Sequence, residues 1–394
     1  MTVIVRIGKM VSSKHRSLHA FFACIFLAYA MSCFASEPED FDNWTELPLS
    51  VSQETLDRVL AVPNVTLAPG LLSRVLVPTR SEMFDPFDFY VLDDKRLWVA
   101  DDGKNGAVYE VHLDGTVKLL ADIKKHAPYA IDVAPASFGE HAGQIYTIAF
   151  ARPEKAGGWE LPNAITRIDP KSGQDEVVCF LPENAERIPG SGGFFARFGP
   201  EGSPFAGRLW LTAASNHTIY VITPDDVCKP FKTLDLDQNG SPRGIAFTPD
   251  GQSMLVGVAA PTPENRNKTN RGGGRIIKMS ADGTFSKDPV ATGLHEPGAM
   301  AYAPATFGRF GGSIIVSDSG EWHNDTVATE PIERDGRVYR VMEDGSLETL
   351  ISGLANPVGV GFVGNRLVVS DINGDFHVGT QKFPDGFMLE LSVE

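Results

Sequence analysis

The chain has few cysteines, and no long apolar run follows its first 35 residues. Four of its 394 residues are cysteine, and no cysteine or histidine pair has the spacing of a zinc site. No Gly-x-Ser-x-Gly segment occurs, so the nucleophile elbow of the α/β-hydrolases is absent. These absences exclude a zinc-finger protein, an α/β-hydrolase and a protein with several membrane helices.

Positive charge is also scarce in this sequence. There are 35 Lys and Arg residues against 50 Asp and Glu residues, which gives a net charge of −15. A surface of this sign repels the phosphate backbone of nucleic acids and anionic lipid headgroups. We therefore expect neither nucleic acid nor a membrane surface as a partner of the mature protein.

The first 35 residues form a separate segment. Four basic residues, the apolar run "LHAFFACIFLAYAMSCFA" and the small residues Cys33 and Ala35 precede Ser36. This order predicts a secretory signal peptide over 1–35, with a retained membrane anchor as the alternative. Cleavage would remove four basic and no acidic residues, which changes the net charge from −15 to −19.

The mature chain is therefore expected to be secreted or periplasmic. Six Asn-x-Ser/Thr sequons favour a glycoprotein of a eukaryotic secretory path, and a bacterial periplasmic protein is the alternative. Cys179 and Cys228 remain after cleavage. In an oxidising compartment they either pair or stay as buried free thiols, and the sequence leaves both open.

A four-strand unit recurs along the rest of the chain. Its second strand is the clearest part, with the six copies "RLWVADD" (96–102), "QIYTIAF" (144–150), "RLWLTAA" (208–214), "SMLVGVA" (253–259), "SIIVSDS" (313–319) and "RLVVSDI" (366–372). The first strands begin near a proline or glycine at intervals of about 54 residues on average. Short antiparallel strands at this period are typical of propeller blades. The sequence predicts an all-β, six-bladed β-propeller, with a solenoid as the alternative.

The last unit lacks its fourth strand. It ends with "GFMLELSVE", while the strand-like segment "LSRVLVP" (72–78) precedes the first unit. We expect this N-terminal strand to close the last blade, because an open ring would leave an exposed sheet edge. The predicted organisation is a signal peptide over 1–35, an N-terminal extension over 36–70 and the propeller over 71–394.

Two near copies of one phrase lie between first and second strands. They are "VAPASFGEHAGQIYTIAF" (133–150) and "YAPATFGRFGGSIIVSDSG" (302–320), with a looser relative that begins at Arg197. Propeller topology places such loops on the face opposite the ends of the second strands. We expect these loops to be structural turns whose phenylalanine packs between blades.

The opposite face collects the starts of first strands and the ends of second strands. Carboxylates and histidines that converge there suit metal binding or general-base catalysis. Turn capping by single aspartates and solvation of loop histidines are the alternatives. The candidates are His126, His295 and Arg243 for catalysis, Tyr129, Asp318, Glu321 and His323 for substrate binding, and Asp85, Glu296 and Asp371 for a metal.

The units "SPRGIAFTPDG" (241–251) and "NPVGVGF" (356–362) resemble the SMP-30/gluconolactonase-like, NHL-type six-bladed propellers. The resemblance implies a divalent metal in the central channel, held by one Glu, two Asn and one Asp, that activates water on a lactone. Asp85 stands near the family's Glu, Arg243 replaces a ligand Asn, and Glu296 adjoins the position of the ligand Asp.

Two functions follow from this resemblance and from the polar axial face. The first is a secreted hydrolase of sugar-derived lactones or esters, acting on a small molecule in the axial channel with Ca, Mg or Zn or with no metal. The second is a non-catalytic propeller that binds a ligand or a protein at the same face.

Overall fold

Six antiparallel sheets are arranged around a common axis, which confirms the predicted six-bladed β-propeller. The computed structural model describes residues 61–79, 81–101, 106–123, 126–151, 164–181, 193–214, 217–235, 240–260, 272–320, 334–372, 377–378, 381–382 and 386–394. Within these residues no helix is long and apolar enough to span a bilayer.

The first three blades each use four consecutive strands, ordered from the axis outward. Blade 1 is β3 (Pro86–Val91), β4 (Arg96–Asp101), β5 (Ala107–His112) and β6 (Val117–Asp122). Blade 2 is β7 (His126–Val133), β8 (Ile145–Ala151), β9 (Ala164–Ile168) and β10 (Asp175–Phe180). Blade 3 is β11 (Gly193–Phe198), β12 (Leu209–Ala213), β13 (Thr218–Ile222) and β14 (Cys228–Thr233).

The last three blades complete the ring, and two of them take a strand from the N-terminal part. Blade 4 is β15 (Ser241–Phe247), β16 (Met254–Ala259), β17 (Gly274–Met279) and β18 (Ala291–Leu294). Blade 5 is β19 (Pro297–Tyr302), β20 (Ile314–Asp318), β21 (Gly336–Val341), β22 (Leu347–Leu354) and the added β1 (Thr66–Leu67). Blade 6 is β23 (Pro357–Val363), β24 (Arg366–Asp371), β27 (Phe387–Val393) and β2 (Leu71–Val77), and a hairpin joins β25 (His377–Val378) to β26 (Gln381–Lys382).

The N-terminal strand closes the ring as predicted. Strand β2 pairs antiparallel with β27 from Leu71 opposite Val393 to Val77 opposite Met388. Leu71, Val77 and Met388 are buried, so the closing strand also contributes to the core. Strand β1 was not expected, and it covers the outer edge of blade 5 by pairing with β22.

The second strand of a blade is well buried, and the outermost strand is much less so. The second strands β12, β16 and β20 are buried at every position, because a neighbouring blade covers each of their faces. The outermost strands β6, β10 and β14 are largely half-buried or exposed. The continuous apolar runs of the second strands therefore reflect strands that are enclosed on both sides.

Neighbouring first strands approach closely around the axis. A Cβ atom on Gly244 would lie 1.7 Å from the carbonyl oxygen of Gly298, and one on Gly298 would lie 2.7 Å from Ser317 Oγ. Only glycine fits at these two positions of "SPRGIAF" and "EPGAM". The repeated glycine one or two residues after the proline is thus a packing requirement of the inner ring.

Hydroxyl groups of the second strands fasten one blade to the next. Ser317 Oγ in blade 5 donates to the Val358 carbonyl in blade 6 at 2.7 Å. Ser370 Oγ in blade 6 donates to the Phe87 carbonyl in blade 1 at 2.8 Å. The second bond joins the last blade to the first, so it supplements the closure made by β2.

The repeated phrase lies between first and second strands and forms structural turns. Its two closest copies contain short 3₁₀ helices, Ala136–His141 and Gly308–Phe310. In each of the three copies a buried phenylalanine contacts the first strand of the next blade, with ring centroids 4.8 Å apart for Phe138–Phe198, 5.1 Å for Phe205–Phe247 and 4.9 Å for Phe307–Phe362. The expected packing between blades is confirmed.

Replacing one of these phenylalanines should lower the stability of the propeller. Phe307→Ala removes a fully buried ring between blades 5 and 6, and we expect it to lower the free energy of unfolding by about 3–5 kcal/mol in urea denaturation. Phe180→Ala is the control, because that ring is 59% exposed and should change stability by less than about 0.5 kcal/mol. Equal effects of the two changes would contradict the assigned packing.

Candidate functional site

Aspartates at the ends of three second strands hold the turns that precede the first strands. Asp101 accepts hydrogen bonds from the Phe84 and Asp85 amides, and Asp318 does the same for His295 and Glu296. Asp371 accepts hydrogen bonds from the Ala355 and Asn356 amides. The shortest of these hydrogen bonds is 2.7 Å at Asp101, 2.7 Å at Asp318 and 3.0 Å at Asp371. The predicted substrate-binding residue Asp318 and the predicted metal ligand Asp371 therefore both cap a turn.

Each capped turn places a polar residue directly before the proline that begins a first strand. These residues are Asp85, Glu296 and Asn356, which occupy the same repeat position in blades 1, 5 and 6. Their exposed fractions are 0%, 6% and 4%. Together with Arg243 at the start of the first strand of blade 4, they follow one another around the ring, and we call these four residues the axial arc.

The axial arc contains a buried ion pair between two blades. Arg243 Nη2 lies 3.2 Å from Glu296 Oε1, and the two side chains are 11% and 7% exposed. In the next blade, the buried Oδ1 atom of Asn356 accepts no hydrogen bond from any described residue. The arc thus combines a fixed cation, a carboxylate and a hydrogen-bond acceptor.

Aromatic rings from the first strands of blades 1, 2 and 3 pack together. The Phe87 ring lies 3.4 Å from the Tyr129 ring and 5.9 Å from the Phe195 ring, measured between centroids. Blades 1 and 3 are not neighbours, so the contact between Phe87 and Phe195 crosses the channel. The predicted substrate-binding residue Tyr129 therefore belongs to an apolar layer formed by blades 1, 2 and 3.

An ionic layer lies further along the same first strands. Arg197 Nη1 and Nη2 donate to the two carboxylate oxygens of Asp88 at 2.7 Å and 2.8 Å, which again joins blade 3 to blade 1. Asp88 also accepts from the Ile131 amide of blade 2 at 3.2 Å. Arg197 was not among the sequence candidates, although one arginine inside the apolar strand "GFFARF" was a signal for it.

Asp132 borders this ionic layer. Its carboxylate accepts the Phe198 amide at 2.6 Å and the Val133 amide at 2.8 Å. Burial raises the pKa of Asp132 to about 6, although nearby Arg197 and the two amides favour the ionised form. Asp132 is therefore a titratable group that joins blade 2 to blade 3.

The remaining sequence candidates have different positions. His295 is buried in the capped turn beside Glu296. His126 begins the first strand of blade 2. Glu321 and His323 lie outside the described residues. Of the sequence candidates, Arg243 and Glu296 are in contact, and Asp85 lies in the same arc.

The predicted metal ligands do not form a three-ligand centre. Among the described residues, no three His, Cys, Asp or Glu side chains are grouped so that they could hold a metal ion. Asn356 stands between Glu296 and Asp85 in the order of blades, and Glu296 already contacts a guanidinium. Because Arg243 replaces one implied ligand and is paired with Glu296, the arc does not fit the divalent metal that the resemblance implies.

Comparison with solved structures finds the same fold in several enzymes. A gluconolactonase from Xanthomonas campestris is 16% identical, with a TM-score of 0.52 over 84% of this chain and 94% of that one. The PQQ-bound aldose sugar dehydrogenase from Streptomyces coelicolor is 16% identical, with a TM-score of 0.53 over 84% and 100%. A luciferin-regenerating enzyme is 11% identical, with a TM-score of 0.51 over 84% and 95%.

This chain shares the gluconolactonase-like, six-bladed propeller fold. No protein-family profile matches the chain, and no curated protein matches it in sequence. At such low identities the likeness establishes the fold, while the activity has to be argued from the site.

The titration of Asp132 predicts a pH-dependent stability. Its native pKa exceeds the value of about 3.9 in an unfolded chain, so the protonated form favours folding. This stabilisation is fully present below about pH 4 and is lost as the pH rises through about 6. Between these pH values the free energy of unfolding of the wild type should fall by up to about 3 kcal/mol more than that of the Asp132→Asn variant. Parallel stability profiles of the two proteins in urea denaturation would refute this assignment.

Proposed function

We propose that the axial arc binds a small sugar-derived carbonyl compound and hydrolyses its lactone or ester bond. The observation that carries this proposal is the buried pair of Arg243 and Glu296 beside the buried oxygen of Asn356. A water-poor site strengthens interactions with a polar ligand. Two of the structures with this fold are named for sugar-derived substrates, gluconolactone and aldose sugars.

We assign to Arg243 the role of binding the carbonyl oxygen of the substrate. Its guanidinium has five N–H donors and carries a permanent positive charge. This group donates a hydrogen bond to Glu296 through Nη2. A donor held in place by an ion pair is suited to stabilise the oxyanion that forms when water adds to a carbonyl.

Glu296 is assigned the general base. Its carboxylate takes a proton from water while the water oxygen forms a bond to the carbonyl carbon. The tetrahedral intermediate then collapses, the bond to the ring oxygen breaks, and that oxygen receives the proton from Glu296. Asn356 Oδ1 accepts a hydrogen bond from a hydroxyl of the sugar chain and so orients the lactone. The aromatic layer with Tyr129 packs against the apolar face of the lactone.

The proposed chemistry uses groups of this chain and routes no step through a metal. A divalent ion in a related site would polarise the carbonyl, and Arg243 takes this role here.

We also propose that the protein works outside the cytoplasm after cleavage of residues 1–35. Direct sequencing of the mature N-terminus tests this location.

Variants of Arg243 and Glu296 test the proposed hydrolysis. Purified protein is assayed with five- and six-carbon aldonolactones by proton release, and the corresponding aldonates are titrated calorimetrically. Arg243→Met should lower kcat/KM by about 100-fold because the oxyanion loses its charged donor. Glu296→Gln should lower kcat by about 100-fold and leave aldonate binding within about twofold.

Arg340→Met is the matched control. It also removes an arginine–glutamate pair at 3.2 Å, between Arg340 and Glu348 on the outer strands of blade 5. We expect unchanged kinetics for this variant and for wild type treated with a chelator. Loss of activity on chelation would replace the metal-free mechanism by a metal-dependent one, and equal loss in both arginine variants would refute the axial assignment.

Non-catalytic binding is the second candidate. It is favoured by the contact between Glu296 and Arg243, because this ion pair engages the carboxylate that hydrolysis would need as a base. In this case aldonates or aldonolactones bind, Arg243→Met weakens the binding, and no lactone is turned over. Absence of both binding and turnover would contradict both candidates.

A further inference from the structure

The two cysteines of the propeller meet at the boundary between blades 2 and 3. Cys179 lies in β10 and Cys228 begins β14, which are the outermost strands of these blades. Their thiols share a hydrogen bond. Both residues are half-buried and pack against one apolar cluster built from both blades, which includes Tyr146 and Tyr220.

An ionic contact holds the same boundary in register. Arg167 of blade 2 lies 3.1 Å from Asp226 of blade 3 and donates to the Tyr146 hydroxyl at 3.2 Å. Asp226 has a φ of 59°, a left-handed conformation that aspartate adopts more readily than most non-glycine residues, and it stands two residues before Cys228. The strand that carries Cys228 is therefore positioned by contacts other than those of its sulfur.

Metal binding is a poor explanation for this pair. Among the described residues, no third His, Cys, Asp or Glu joins the two thiols in a possible metal site. Two cysteines without further ligands are suited to oxidation instead. We propose that Cys179 and Cys228 form a disulfide that ties blade 2 to blade 3, and that a small disulfide of the glutathione type forms it.

The two sulfurs have different roles in the exchange. The contact between the thiols lowers the pKa of Cys228 and raises that of Cys179. Cys228 therefore attacks the oxidant as a thiolate, its sulfur bonds to one sulfur of the oxidant, and the other leaves as a thiolate. Cys179 then loses its proton and attacks Cys228, which forms the intramolecular disulfide and releases the second thiolate. The two cysteines lose two electrons, and the oxidant gains them.

The resulting bond would restrict a segment of roughly 50 residues in the unfolded chain. It joins edges of two blades that are otherwise held by side-chain packing and the contact of Arg167 with Asp226. We expect the oxidised protein to melt about 5 °C above the reduced protein. This inference is independent of the chemistry proposed for the axial arc.

The test compares one protein in two redox states. The full chain is equilibrated with oxidised or reduced glutathione, alkylated, digested without reduction and mapped by mass spectrometry. We expect a linked peptide pair containing Cys179 and Cys228, a mass lower by two hydrogens, and the higher Tm in the oxidised sample. Cys179→Ser and Cys228→Ser should each abolish the link and the redox dependence of Tm.

A double Cys24→Ser, Cys33→Ser variant is the control. It keeps the propeller pair and should retain both the linked peptide and the Tm difference. Alkylation of both Cys179 and Cys228 after oxidation would overturn the proposal, as would a disulfide from either of them to Cys24, Cys33 or a second chain.

Discussion

The carboxylate caps are the interaction on which the axial face depends. In blades 1, 5 and 6 an aspartate at the end of the second strand accepts two backbone amides of the turn before the first strand. Each cap satisfies two donors that would otherwise be buried without partners. Because the turn is fixed, the residue before the proline has a fixed position, and in these blades that residue is Asp85, Glu296 or Asn356. The caps thus fix the positions of three members of the arc.

The interior of the channel differs between the two halves of the ring. Blades 4, 5, 6 and 1 supply polar residues at the axial face, whereas blades 1, 2 and 3 cross the channel with an aromatic contact and an ionic one. Two buried carboxylates, Asp88 and Asp132, then flank a single guanidinium from Arg197. Burial is the largest influence on Asp132, which explains why its pKa rises beside a cation.

The phenylalanine contacts between blades and the polar arc lie at opposite faces of the propeller. The repeated phrase and its phenylalanines join blades at one face, and the polar arc lies at the other. The boundary between blades 2 and 3 adds a thiol pair and an ion pair at its outer edge. Replacements in the arc therefore leave the phenylalanine contacts at the opposite face in place.

The sequence by itself determined the number of blades, their register and the N-terminal closing strand. The number and register of the blades follow from local rules, since strand periodicity and the recurring prolines and glycines act over a few residues. The closing strand follows from the count of strands in the last unit. Only the tertiary structure decided that Asp371 caps a turn, that Asn356 joins the arc, and that Arg197 binds Asp88. Arg197 and Asp88 are 109 residues apart in sequence, and they meet because ring closure sets which side chains face each other across the channel. Such partners depend on the packing of whole blades, which no local pattern encodes.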